Sequence, residues 1–141
     1  MKAPLDAANT LLREFDPTTY LRLLVAQGHL DGLVEEEQDY IRARAALLGV
    51  EVEPLLTQPL IELPPVDAQV SETTRRVILR DCIVLACIDG NYTEIERAHV
   101  HRVAKWLGVD IGAAERIEDW LRRYWELMDE SEALLSGFDA P

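Results

Sequence analysis

With 141 residues, 48% of them hydrophobic, the chain is long enough and apolar enough to fold around a real core rather than stay disordered. Its formal charge of −12 is spread along the whole length, with 5 basic and 12 acidic residues up to Val70 and 9 and 14 after it. Such a surface repels phosphate backbones and anionic lipid, which argues against nucleic acid and membrane partners and favours cations or basic protein faces.

In chain order, residues 1–15 carry few signals and predict a short helix around Ala7–Phe15 or a loose arm. MKAPLDAANTLLREF contains no continuous apolar run, so no secretory signal is read there and a cytoplasmic location is expected. Asp16-Pro17 is a helix start, with Asp as cap and Pro at the first helical position. That helix runs to Gly28 and is followed by a His29-Leu30-Asp31-Gly32 turn. A second helix is predicted over about Glu35–Leu48, ending at Gly49, and Glu53-Pro54 opens a short one closed by Pro59. IELPPV, with Pro64-Pro65, reads as an extended connector.

Ser71 or Asp67 caps the next helix, which contains the most apolar stretch of the chain, VILRDCIVLACIDG (77–90). A helix apolar on nearly all sides belongs in the middle of a bundle, and this one is too short and too charged at Arg80-Asp81 to span a membrane. Asp89-Gly90 stops it, and Thr93 with Glu96 forms a capping box for a helix that ends at Gly108. The last helix, about Ala113–Leu135, places Ile117, Trp120, Leu121, Tyr124, Leu127, Met128 and Leu135 on one stripe. No segment shows strand-like alternation, so the fold class is all-α, in a single domain over 1–141. Among the tryptophans, Trp125 is the one expected to be partly exposed. Cys82 and Cys87 read as two buried thiols in a reducing compartment.

An internal repeat follows from this pass. YLRLLVAQGHLDG (20–32) aligns without gaps over ILRDCIVLACIDG (78–90), and Leu48-Gly49-Val50 answers Leu107-Gly108-Val109. Two copies, about 17–58 and 71–109, would pack around a pseudo-twofold axis. Each turn places an Asp before a helix start rich in carboxylates, so Asp31, Glu35, Glu36, Asp89, Glu94 and Glu96 are the candidate ligands of a hard divalent cation such as Ca²⁺. Carboxylates are also favoured at a helix N-terminus by the macrodipole alone. EF-hand spacing is absent, because position 6 falls on Glu94 or Glu36 where Gly is needed. His99 and His101 diverge by about 200° on a helix and cannot share a metal. No nucleophile with a nearby base is visible, so no catalytic residue is assigned.

The apolar helix running into Asp-Gly, the acidic helix start and the Leu-Gly-Val stop resemble the tellurite-resistance TerB family. IVLACIDGNYTEIERAHVHRVAKWLGV carries the match, with Glu96 at the family's Glu position; VAQGHLDGLVEEEQDYIRARAALLGV resembles the first half, offering Glu37 or Gln38 there. The resemblance implies a TerB-like helical bundle, a role in tellurite or other stress resistance, an acidic surface that binds metal ions, and scaffolding in stress complexes. The expected function is therefore non-enzymatic, through a divalent cation or a partner protein. A metal-free scaffold or co-chaperone-like module, or a metal-dependent hydrolase, remain the alternatives.

Overall fold

The computed structural model describes residues 13–137, and the predicted arm at the N-terminus lies almost wholly outside them. Five α-helices and no strand are found among these residues: α1 Pro17–Gly28, α2 Glu35–Leu48, α3 Glu72–Cys87, α4 Glu94–Leu107 and α5 Ile111–Ser136. Short 3₁₀ turns at His29–Asp31 and Glu53–Thr57 lie between them.

The helix ends are set by the local chemistry read from the sequence. The Asp16 carboxylate accepts the Thr19 amide at 3.1 Å, and Ser71 Oγ accepts the Thr74 amide at 3.2 Å. At the start of α4, Thr93 Oγ1 accepts the Glu96 amide at 3.2 Å while Glu96 Oε1 accepts the Thr93 amide at 2.8 Å. Glu37 makes the same backward bond to the Val34 amide at 2.9 Å. The C-termini of α2 and α4 also correspond. Gly49 and Gly108 are left-handed (φ 69° and 73°), and Val50 and Val109 donate back to Ala45 and Ala104 at 3.0 and 2.8 Å.

α3 occupies the middle, against α1, α4 and α5. Its Ile78, Leu79, Ile83 and Leu85 are fully buried, each contributing about 1.5–3 kcal/mol. α1 supplies Leu21, Leu23 and Leu24, and α4 supplies Val100, Val103 and Leu107. The connector from 58 to 70 is tied to the bundle by hydrogen bonds. Trp106 Nε1 donates to the Pro64 carbonyl at 2.6 Å, and Arg75 reaches the carbonyls of Asp67, Val70 and Leu107.

Three sequence expectations shift. The central helix stops at Cys87, because Ile88 and Asp89 already belong to the turn that leads to left-handed Gly90. The last helix starts two residues earlier than predicted, where Asp110 caps the Gly112 amide at 3.0 Å. Trp125 is partly exposed as expected, but Trp120 is the more exposed indole at 37%. Among the described residues no helix is long and apolar enough to cross a membrane.

Candidate functional site

α4 and α5 pack against each other across the short loop after Leu107, with Arg97 and His101 both reaching Glu118. Their lengths differ: 14 residues against 26. At 1.5 Å per residue, the 12 extra residues (26 − 14) make α5 about 18 Å longer than α4. Burial follows this arithmetic. Leu121 is fully buried and Trp125 half-buried, whereas Leu127, Met128, Leu134 and Leu135 are exposed.

Beside this overhang lies a cleft of about 1150 Å³, open to solvent. Its floor is apolar: Ile83, Cys87 and Ile88 at the end of α3, with Trp125, Met128 and Leu135 from α5. Acidic side chains rim it, including Glu115, Asp119, Glu126, Asp129 and Glu132. Glu118 holds the inner wall together. It accepts the Tyr92 hydroxyl at 2.5 Å, and pairs with Arg97 at 3.4 Å and His101 at 3.2 Å. On the rim, Arg122 binds Asp119 and Glu126, both at 2.7 Å, and holds the Asp119 carboxyl below the usual carboxylate range.

The titratable groups of the cleft are poorly placed for chemistry. Burial pushes the Cys87 thiol up to about 12, helped by the carboxylates of Glu96, Glu118 and Asp89. Burial and the hydrogen bond to Glu118 also push the Tyr92 phenol well above its ordinary range. Both stay protonated at neutral pH, and a thiol is a far weaker nucleophile than a thiolate. The cleft can seat an apolar group and attract positive charge around it.

A second polar centre is buried in the bundle. Asp81, 1% exposed, accepts the Tyr20 hydroxyl at 2.6 Å and Arg44 Nη2 at 3.1 Å on one oxygen. Its other oxygen accepts Arg80 Nε and Nη2 at 3.2 and 3.1 Å. Arg44, itself 3% exposed, also donates to Tyr20 Oη at 3.1 Å. Burial works against the Arg44 charge, but Asp81 and the two phenols, Tyr20 and Tyr40, outweigh it and raise its pKa. This centre joins α1, α2 and α3.

The predicted cation ligands are distributed differently. Glu35, Glu36 and Glu94 are exposed on first turns, and Asp89 is exposed with Oδ1 accepting the Asn91 amide at 3.0 Å. Glu96 is fully buried in its capping box. Asp31 lies in the first 3₁₀ turn, and its side chain is outside the described set. Among the described residues, no group of three or more His, Cys, Asp or Glu is placed to hold a metal ion. The end of α1 does reach the start of α4, through Gln27: its amide faces the Glu96 carbonyl at 3.4 Å and His99 Nδ1 at 2.7 Å. His29 and His101 engage separate partners, Leu56 and Glu118.

Sequence reasoning missed the overhang and the Arg44–Asp81 pair. The first was available from the unequal lengths predicted for the last two helices. The second left no local trace, since its partners lie 37 residues apart on helices of different character. Comparison with models of known protein families, with curated proteins and with solved structures finds no match.

Proposed function

We propose that this chain is a non-catalytic, TerB-like helical binding module that docks a partner protein in the cleft beside the α5 overhang. The observation that carries the proposal is the combination of an apolar floor, exposed Met128 and Leu135, and an acidic rim. The occupant that fits is an amphipathic helical segment of the partner, with apolar anchors for the floor and flanking Lys or Arg for the rim. A second copy of this chain fits less well, because its own surface is acidic and would meet the rim with like charge.

The family resemblance draws support from the paired units. α2 and α4 are both 14 residues long, both begin with a Glu bonded back across the cap, and both end in a left-handed Gly. An internal pseudo-twofold repeat accounts for this equality. On the same resemblance the module would serve a stress response of the tellurite-resistance type. The ion-binding alternative gains less, because Glu96 is already engaged at a helix start and the remaining described carboxylates face solvent.

The test uses a Leu/Lys amphipathic helical peptide as probe and the methyl group of Met128 as reporter, one of only 2 methionines in the chain. Saturable perturbation of the Met128 signal is expected, and Leu135→Glu or Met128→Glu should weaken binding at least about tenfold. For Met128→Glu the readout is calorimetric. A peptide of identical composition with scrambled periodicity controls for charge alone. Equal binding of both peptides, or indifference to the cleft variants, would refute docking in this cleft.

A further inference from the structure

The same chain contains a groove of opposite character, between the first half of α3 and the first half of α5. Arg76 and Arg80 line it from α3, and Arg116 with Trp120 lines it from α5; Val77 and Ile117 are among its apolar lining. No carboxylate is among its lining residues, although the protein carries 26 Asp and Glu against 14 Lys and Arg. Its volume is about 330 Å³, at the lower end for small-ligand sites.

Three guanidinium groups collected around one small groove cost stability through mutual repulsion, and Arg76 and Arg80 stand at i, i+4 on the same helix face. Their existing partners differ in strength. Arg80 is 13% exposed and held from behind, its Nε and Nη2 both donating to buried Asp81. Nη1 donates to no described residue, so one edge of a fixed guanidinium is uncommitted. Among the described residues Arg76 is paired only with exposed Glu72, at 2.9 Å, a contact that water and salt readily exchange. Arg116 is exposed and enters none of the ion pairs among the described residues. The Trp120 ring, 6.0 Å from Tyr124 and tilted 31° to it, gives the groove a half-exposed aromatic wall.

We propose that this groove binds a small organic oxyanion, a phosphate or carboxylate attached to one flat apolar group. The oxyanion would be shared among the three arginines, whose planar forks suit two-point contacts to such groups. The apolar group would lie against Trp120, Ile117 and Val77. Size and surroundings favour a free small molecule over a macromolecule. The groove holds about one ring, and the acidic surface elsewhere repels nucleic acid and anionic bilayers.

The experiment titrates the intact chain with phenyl phosphate at constant ionic strength, following the Trp120 indole signal by NMR and the heat of binding by calorimetry. One-site saturation is expected below about 10 mM, with inorganic phosphate and benzyl alcohol each weaker by about tenfold or more. Arg116→Gln and Arg76→Gln should each weaken binding about tenfold. Both residues are exposed and each variant relieves repulsion, so the melting temperature should not fall and loss of binding cannot come from unfolding. Trp120→Leu should erase the preference for phenyl phosphate over phosphate while retaining weak phosphate binding. Absence of saturation, or affinity unaffected by both arginine variants, overturns the proposal. So does binding to phosphatidic-acid vesicles without binding to phenyl phosphate, which would assign the surface to a membrane.

Discussion

Replacing Asp81 by Asn is the sharpest test of how the bundle is held together. The shape is nearly preserved, but one carboxylate oxygen becomes an amide that can only donate. Every neighbour of Asp81 is itself a donor: Tyr20 and Arg44 on one side, Arg80 on the other. The amide must therefore face at least one of them, and the 3%-exposed Arg44 cation loses its countercharge. Breaking a buried pair in this way costs about 3–5 kcal/mol, against a total stability of about 5–15 kcal/mol. For a chain of this size that corresponds to a fall in melting temperature of about 10–20 °C, measurable by circular dichroism. Arg44→Met should cost less, about 1–3 kcal/mol, because Asp81 keeps Arg80 and the Tyr20 hydroxyl. The double variant should be less damaged than the two singles summed, by at least about 1 kcal/mol. An Asp81→Asn protein within about 0.5 kcal/mol of wild type, or strictly additive losses, would show that the charges do not depend on one another.

Two further outcomes follow from groups whose protonation the fold controls. Cys82 is fully buried and burial raises its thiol pKa, as it does for Cys87, so neither should react with a thiol-specific reagent at pH 8 until the protein unfolds; labelling at the rate of a free cysteine under native conditions would contradict the packing of α3. Burial, with a smaller contribution from Arg102, lowers the pKa of His99 from its ordinary value of 6.5. The unfolded chain therefore takes up its proton first, so stability should fall as pH drops below about 6.5 and level off below the folded-state pKa. Denaturant titrations of wild type and His99→Gln would check this, the variant losing that part of the pH dependence.

Much of the backbone was legible because helix ends are local chemistry. Asp16-Pro17, the Thr93–Glu96 box and the two Leu-Gly-Val stops involve residues within a few positions of one another, and each appears where the sequence placed it. The side-chain sites were harder. Glu94 and Glu96 read as a pair of acidic residues, yet two positions on a helix turn about 200°, so one is exposed and the other fully buried. The capping box was the clue that Glu96 already had a partner. Arg80 read as a charge interrupting the apolar run, while its guanidinium binds Asp81 at 13% exposure. Arg44 lies in α2, whose sequence EEEQDYIRARAALL gives no sign that this arginine faces inward. Long-range pairs of this kind are fixed by how helices cross, which periodicity along one chain does not specify.

The unequal pair of α4 and α5 divides α5 into two regimes of backbone protection. Up to Trp125, opening an amide means prying the helix from α3 and α4, so its hydrogen exchange should be governed by loss of the bundle. Beyond it, the remaining turns are held by helix propensity, with Arg122–Glu126 the last ion pair along the helix among the described residues. A free helical stretch of that length is marginal in water, so its end should fray while the same helix stays closed a few residues earlier. A single continuous helix would then belong to two cooperative units, with the boundary at the lip of the cleft. Whatever fills the cleft would extend the slow-exchanging unit along α5, making amide exchange beyond Trp125 a reporter of occupancy.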